Sequence, residues 1–223
     1  SRALTRNGAA RNSASDGRGV NTMDGNAAFR RAMHIVSPVF LSYYLLPADL
    51  RPGSGVTRTS VTLLFLGTAA CIEIARIALR VRLFGMRPYE GQRVSAYAQG
   101  ALGLALALFL FGDVLGTRAP YFVVPVFLGM AWIDPLAALA RRRPWPRSVV
   151  IAAYFVLFLA TEYAMLGTRA WSWQFLFAVL ATGSAMIVEG PKHAQLDDDL
   201  LMLVVPLAIL TAVVVLFAPP PLP

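Results

Sequence analysis

The stretch WIDPLAALARRR, residues 132–143, decides how the rest of the chain is organised. It places the carboxylate of Asp134 near one end of an apolar run and ends in arginines. Proline disfavours the α conformation at the residue before it and suits the first position of a helix. Pro135 therefore predicts that a membrane helix breaks here and restarts with Asp134 as its N-cap. An ionisable side chain inside a membrane segment indicates a functional site, and a capping role at the membrane interface is the simpler alternative.

The composition of the whole chain is that of a membrane protein. Of its 223 residues, 57% are hydrophobic and 14% are charged, whereas about a quarter of the residues in a soluble domain are charged. The net charge of +8 does not indicate a nucleic-acid partner, because most basic residues flank apolar runs, as membrane topology requires. Cys71 is the single cysteine, so no disulfide framework is expected. We expect an integral membrane protein surrounded by the lipid bilayer.

The chain divides into a polar tail and one apolar domain. Residues 1–25 are rich in Arg, Asn, Ser and Gly and lack hydrophobic periodicity, which predicts a disordered tail. Residues 26–219 form the predicted polytopic domain, because runs long enough, or nearly long enough, to cross a bilayer follow one another there. We place these runs at residues 33–46, 61–79, 94–111, 121–140, 149–166, 171–188 and 200–218.

The basic residues predict the orientation of the chain, because Lys and Arg concentrate in cytoplasmic loops. With seven helices and a cytoplasmic N-terminus, most of the 20 Lys and Arg residues fall on the cytoplasmic side. The sequence therefore predicts an all-α integral membrane protein, a bundle of about seven transmembrane helices with the N-terminus in the cytoplasm and the C-terminus outside. In a prokaryote this multi-pass protein would lie in the cell membrane.

Acidic residues collect on the predicted cytoplasmic face. They are Asp134, Glu189 and the acidic run at residues 197–199. Carboxylates gathered at one depth repel one another unless a cation joins them. Because Mg²⁺ prefers one or two carboxylates together with substrate phosphates, we expect a divalent metal at this face.

Basic side chains suited to phosphate oxygens lie on the same face. They are Arg80, Arg82, Arg87, Arg93, Arg141, Arg142, Arg143 and Lys192. Anchoring of the topology is the alternative role for each of them. His34, at the cytoplasmic start of the first run, suits a base or a phosphate donor, with an interfacial histidine as the alternative. Together these groups predict a nucleotide-dependent reaction on a membrane-embedded substrate, with its active site on the cytoplasmic face.

Four segments resemble one known family in its own order along the chain. FRRAMHIVSPVFLSYYLLP (29–47) is similar to the Arg-Lys-x-x-His helix of the dolichol kinase and phytol kinase group, which shares a superfamily with phosphatidate cytidylyltransferases. FGMRPYEGQRVSAYAQGALG (84–103) resembles the Gly-x-Arg-x-Tyr-Glu loop and helix of prokaryotic members, and LGMAWIDPLAALARR (128–142) their Asp-Pro-Leu segment. VEGPKHAQLDDDLLMLVVPL (188–207) resembles their terminal Glu, which is followed by an Asp-Asp-containing helix.

The resemblance implies a membrane kinase that transfers the γ-phosphoryl group of a nucleotide, CTP above all, to an isoprenoid alcohol such as dolichol, polyprenol or phytol. It implies Mg²⁺ as cofactor, with His34 among the catalytic residues. Metal ligation and catalysis would fall to Asp134, Glu189, Asp198 and Asp199. The phosphates of the nucleotide would be held by Arg80, Arg87, Arg93, Arg141 and Lys192. Phosphoryl transfer depends mainly on positioning and charge stabilisation, which agrees with the lack of a recognisable nucleophile motif.

Two other functions remain open at this point. A CTP-dependent cytidylyltransferase acting on a lipid phosphate would use the same metal and arginines. A small-solute or proton-coupled transporter would instead line its path with Glu73, Arg76 and Asp134. Glu73 and Arg76 lie one turn apart, so they also suit a buried salt bridge between helices. The oligomeric state, monomer or homodimer, is left open by the sequence.

Overall fold

A computed structural model describes residues 25–86, 93–189 and 196–217, and most of these residues are helical. The predicted tail therefore lies outside the described residues, except for Gly25. In chain order the elements are α1 (Gly25–Val36), a 3-10 helix (Ser37–Tyr44), strands β1 (Asp49–Arg51) and β2 (Val56–Thr57), α2 (Arg58–Leu79), α3 (Ala96–Ala105), a π-helical turn (Leu106–Leu110), α4 (Phe111–Leu115), a 3-10 turn (Gly116–Arg118), α5 (Ala119–Ala140), α6 (Arg147–Leu166), α7 (Trp171–Val188) and α8 (Asp198–Phe217).

Five helical segments of the described chain are long and apolar enough to cross a membrane. One of them runs for 45 residues, from α3 to the end of α5. It turns at Gly116, whose φ of +57° falls in the left-handed region that favours glycine. Both α4 and α5 pack against α8, so the segment folds back on itself. This architecture is that of a helical, multi-pass membrane protein. The count of seven transmembrane helices and the location of each terminus on one side of the membrane remain predictions.

The first predicted run does not form one regular helix. The α1 helix ends at Val36, and a 3-10 helix with Pro38 near its start continues to Tyr44. A proline lacks the N–H that would bond to the preceding turn, so the change of helix type falls where that donor is missing. A small antiparallel hairpin of β1 and β2 follows, with Asp49 opposite Thr57. Thr57 and Ser60 then cap the start of α2 reciprocally.

Helix α5 lies at the centre of the bundle. It continues through Pro135, so the predicted break at this residue is wrong. It contacts α1, α6 and α8, and Phe122 and Val126 are fully buried along it. Both Asp134 and Pro135 lie inside the helix, so Asp134 is not an N-cap. An interior proline costs about 3 kcal/mol, but packing on several sides offsets that loss, and membrane helices commonly accommodate proline.

The last three helices form successive antiparallel neighbours. Helix α6 packs against α5 and α7, and α7 packs against α8. Phe155 and Phe175 join α6 to α7 with ring centroids 5.4 Å apart, and Phe122 and Phe177 join α5 to α7 at 5.0 Å. This arrangement brings the C-terminal ends of α1, α5 and α7 to the same end of the bundle as the N-terminal end of α8. We call it the polar end, and it is defined by His34, Asp134, Glu189 and Asp199.

Candidate functional site

Three side chains from three separate elements meet at the polar end. His34 lies in the last turn of α1, Asp134 in α5 and Asp199 in the first turn of α8. One potential ligand atom from each of them lies within 4.8 Å of the other two. The imidazole Nε2 of His34 is 3.4 Å from a carboxylate oxygen of Asp199. All three are partly buried, so a small ion or a phosphate oxygen can reach them.

Asp199 is held in place through the residues that precede it. The backbone N–H of Asp197 donates to the side-chain oxygen of Gln99 at 2.6 Å, and Gln99 is itself buried on α3. This bond ties the start of α8 to α3. The N-terminal end of a helix also favours negative charge, which stabilises the carboxylate of Asp199 in the first turn. No sequence pattern pointed to Gln99, because its partner lies 98 residues away.

Asp134 is brought to His34 by contacts between α5 and α1. The indole N–H of Trp132 donates to the carbonyl oxygen of Ile35 at 3.4 Å, one residue beyond His34. Within the described residues Asp134 makes no hydrogen bond or ion pair and contributes an oxygen to the group of three. A partly buried carboxylate in this position is suited to a ligand from outside the chain.

A cavity of about 320 Å³ opens beside this group. Its polar wall contains Arg30, His34 and Asp199, and apolar side chains such as Phe40, Leu104 and Phe127 line the rest. Nη1 of Arg30 is buried and has no hydrogen-bond partner in the described part of the chain. The cavity therefore combines a charged end with a hydrocarbon-like interior.

Arg30 is a site residue that the sequence reasoning missed. It precedes His34 by one helical turn, and residues four apart lie on the same face of a helix. That spacing was the available signal, although in the sequence Arg30 stands out only as part of the segment FRRAMHIVSPVFLSYYLLP (29–47). A guanidinium with an unused donor at the wall of a cavity suits phosphate oxygens.

Glu189, a predicted metal ligand, lies in a different environment. It forms ion pairs with Arg141 and Arg147, and Arg147 also donates to the carbonyl oxygen of Met186 at 2.6 Å. Among the described residues the group of three includes neither Glu189 nor Asp198. Glu189 and Arg141 therefore neutralise each other and fasten the end of α7 to the segment between α5 and α6. Asp198 begins α8, next to Asp199.

Where the structure describes them, the basic residues predicted to hold phosphates have other interactions or are exposed. Arg80 ends α2 in a left-handed conformation with φ of +54° and is exposed. Arg93 offers its backbone oxygen to Arg76 at 2.6 Å. Arg87 and Lys192 lie outside the described residues. The nucleotide site predicted from these arginines and Lys192 therefore stays a prediction.

Glu73 and Arg76 form the buried salt bridge that their spacing suggested. Two nitrogens of Arg76 each lie 2.8 Å from an oxygen of Glu73. The backbone N–H of Ser95 donates to Glu73 at 2.7 Å and its hydroxyl at 2.9 Å. The pair thus joins α2 to the start of α3, and its hydrogen bonds satisfy the carboxylate. This arrangement shows the structural role of the pair, and the transport path through Glu73 and Arg76 stays a prediction.

The donor atoms of the group fit a hard divalent cation. Asp134 and Asp199 supply carboxylate oxygens. They lie on two helices that are far apart in the sequence but are brought close together in space by packing. Mg²⁺ is commonly bound by one or two carboxylates, with waters and phosphate oxygens completing its shell. The imidazole of His34 offers a nitrogen, a ligand type that suits transition metals such as Zn²⁺ and Fe²⁺ more than Mg²⁺.

Comparison with protein-family models, with curated proteins and with solved structures finds no match to this chain.

Proposed function

We propose that this protein is a membrane-embedded lipid kinase of the dolichol kinase and phytol kinase type. It transfers the γ-phosphoryl group of a nucleotide, with CTP favoured, to the hydroxyl group of an isoprenoid alcohol. The observation that carries the proposal is the cavity: an apolar interior that ends at Arg30, His34 and Asp199. A long alcohol needs such a cavity, because its chain requires an apolar wall and its hydroxyl must reach charged groups.

The two carboxylates and the arginine have different roles in the proposed phosphoryl transfer. Asp134 and Asp199 would hold Mg²⁺, which neutralises charge on the transferred phosphoryl group. Arg30 directs its unused nitrogen toward a phosphate oxygen. The alcohol oxygen attacks the γ-phosphorus, the bond from that phosphorus to the bridging oxygen breaks, and the nucleoside diphosphate leaves. His34 lines the cavity, so its ring nitrogen is placed to take the hydroxyl proton.

The direct test is to follow labelled CTP with the purified full-length chain, Mg²⁺ and phytol or a polyprenol. We expect label from the γ-position to appear in the lipid, and label from the α-position to stay in the nucleotide. At a Mg²⁺ concentration that just saturates the wild type, Asp134→Asn should strongly reduce this transfer, whereas Asp113→Asn, which changes an exposed carboxylate in α4, should not. Lipid labelled only from the α-position, with phosphatidic acid as acceptor, would establish the cytidylyltransferase instead.

Transport is the second candidate, and one residue favours it. Glu162 of α6 is completely buried, and neither carboxylate oxygen has a hydrogen-bond partner among the described residues. Buried carboxyl groups of this kind occur on proton and ion pathways. Proteoliposomes that take up a solute or protons, and lose that uptake in Glu162→Gln without any nucleotide turnover, would replace the kinase proposal.

A further inference from the structure

Helix α2 is attached to the rest of the bundle at its two ends. Near its start the hydroxyl of Thr59 lies 3.3 Å from that of Tyr43, and the guanidinium of Arg58 stacks 4.7 Å from the centre of the Tyr43 ring. About two turns further along α2, the rings of Phe65 and Phe40 lie 5.1 Å apart. These contacts bind α2 to the 3-10 helix.

The second attachment is the buried ion pair near the other end of α2. Glu73 accepts both bonds from Ser95, and Arg76 donates to the carbonyl of Arg93. Separating α2 from α3 here would leave buried charges without their partners, which is strongly destabilising. The distance between the two helices is therefore fixed at this end.

The apolar part of the cavity lies between the two attachments. Phe65 and Ala69 line it from α2, and Gly100 and Ala101 line it from α3; we call these four residues the α2–α3 slot. Only 11% of the most apolar window of α2 is buried, so the outer face of this helix meets lipid. The slot therefore leads from the polar wall of the cavity toward the hydrocarbon of the bilayer.

We infer that the α2–α3 slot admits a single hydrocarbon chain, so that the site selects single-chain alcohols over two-chain glycerolipids, with Gly100 setting its width. This inference rests on the proposed function. A volume of about 320 Å³, at about 30 Å³ per heavy atom as in liquid water, holds on the order of ten heavy atoms. That is the first part of one chain. A second chain beside it would have to widen the slot, which the ion pair opposes at one end and the contacts of α2 with the 3-10 helix oppose at the other.

Gly100 is the position where the slot is easiest to close. A Cβ built on Gly100 meets no atom within 4 Å, so a larger side chain there enters open space. Helical glycine is also the least favourable of the ordinary residues, so its replacement does not weaken α3. Gly183 of α7 has equally open surroundings but is exposed, away from the cavity. Gly100→Phe and Gly183→Phe are thus a matched pair.

The experiment measures binding without any nucleotide. The full-length chain is purified in a sterol-based detergent that has no flexible alkyl chain, and its unfolding temperature is recorded with phytol, 1-dodecanol or dioctanoylglycerol. We expect the two single-chain alcohols to raise the unfolding temperature of the wild type and of Gly183→Phe. Dioctanoylglycerol should leave both unchanged, and no alcohol should stabilise Gly100→Phe.

Ala69→Phe, which fills the slot from the opposite wall, gives the answer if Gly100→Phe does not fold. An equal response of both slot variants and the wild type to phytol would overturn the inference, as would stabilisation by dioctanoylglycerol as large as that by phytol. The readout is independent of catalysis. Loss of phosphoryl transfer with binding intact removes the proposed kinase and leaves the slot, whereas transfer to two-chain lipids removes the slot alone.

Discussion

His34 and Asp199 come from the first and the last helix of the described chain, and the imidazole Nε2 lies 3.4 Å from a carboxylate oxygen. This contact closes the bundle at its polar end. It also places a proton acceptor next to a carboxylate at the wall of an apolar cavity. The two residues therefore have separable roles, and substitution can distinguish them.

Initial rates measured against Mg²⁺ concentration separate the roles. We expect Asp134→Asn and Asp199→Asn to raise the Mg²⁺ concentration needed for half-maximal activity, because each removes a charged oxygen ligand. Loss of a residue that only supports a metal ligand typically costs about 10–100-fold in metal affinity, so the loss of a ligand itself should cost at least as much. His34→Gln should instead lower turnover by about 10²–10⁴-fold, the usual contribution of a general base, and leave the Mg²⁺ requirement nearly unchanged. If His34→Gln shifts the Mg²⁺ requirement as strongly as the two Asp variants, the imidazole is a ligand and not a base.

The long apolar runs predicted most of the helices, because the length of such a run is set by bilayer thickness. The predicted runs 61–79, 149–166 and 171–188 match α2, α6 and α7 within three residues at either end. The break at Pro135 was wrong because tertiary packing around α5 outweighs the local preference of a proline. The predicted run 94–111 changes from α3 to a π-helical turn. The periodicity of hydrophobic residues does not reveal such a change.

The candidate site was harder to predict than the helices. Sequence placed Asp134, Asp199 and Glu189 at one depth, but depth does not fix the rotation of a helix about its axis. The rotation of α7 turns Glu189 toward Arg141 and Arg147. In the predicted topology, basic side chains lie near each of these carboxylates. Whether a carboxylate binds a metal ion or an arginine therefore depends on side-chain geometry, which the sequence does not show.

The buried pair of Glu73 and Arg76 yields a stability prediction. Arg76→Leu leaves the carboxylate of Glu73 buried with only the Ser95 donors, and such losses cost about 3–5 kcal/mol. We expect a clear fall in the unfolding temperature in detergent. Arg82→Leu, an exposed arginine just beyond α2, should change stability by less than about 0.5 kcal/mol. Combining Arg76→Leu with Glu73→Gln should restore part of the loss, and a double variant as unstable as the single would contradict the ion-pair explanation.

Gly85 provides a prediction about the segment that leads toward α3. Its φ is +85°, and an added Cβ would lie 2.2 Å from the Tyr97 hydroxyl and 2.8 Å from the Phe29 ring. Gly85→Ala must therefore strain the backbone and displace two side chains. Gly116→Ala shares the positive φ but meets open space. Its ψ of −129° lies outside the left-handed helical region, so it should cost only the strain of a sparsely populated backbone conformation, about 1–3 kcal/mol. Thermal unfolding should rank Gly85→Ala as the less stable variant, and equal losses would mean that Tyr97 and Phe29 do not pack on Gly85.

The contact between α5 and α6 gives the last prediction. The same substitution, glycine to alanine, should lower stability at one position and raise it at another. A Cβ on Gly129 would lie 2.5 Å from two ring atoms of Tyr154, which is fully buried. Gly129→Ala therefore forces the helices apart or moves the ring, and overpacking of this kind costs about 1–3 kcal/mol. Gly183→Ala meets nothing within 4 Å and gains up to about 1 kcal/mol of helix propensity.

Unfolding temperatures of the two variants in the same detergent test this difference in sign. Tyr154→Leu should tolerate Gly129→Ala better than the wild type does, because a leucine is shorter than the ring that the new methyl group meets. The two substitutions should therefore be less destabilising together than the sum of their separate effects, as expected for residues in contact. Strict additivity would show that α5 and α6 do not approach at Gly129, and the packing of Asp134 on the same helix would then need a different account.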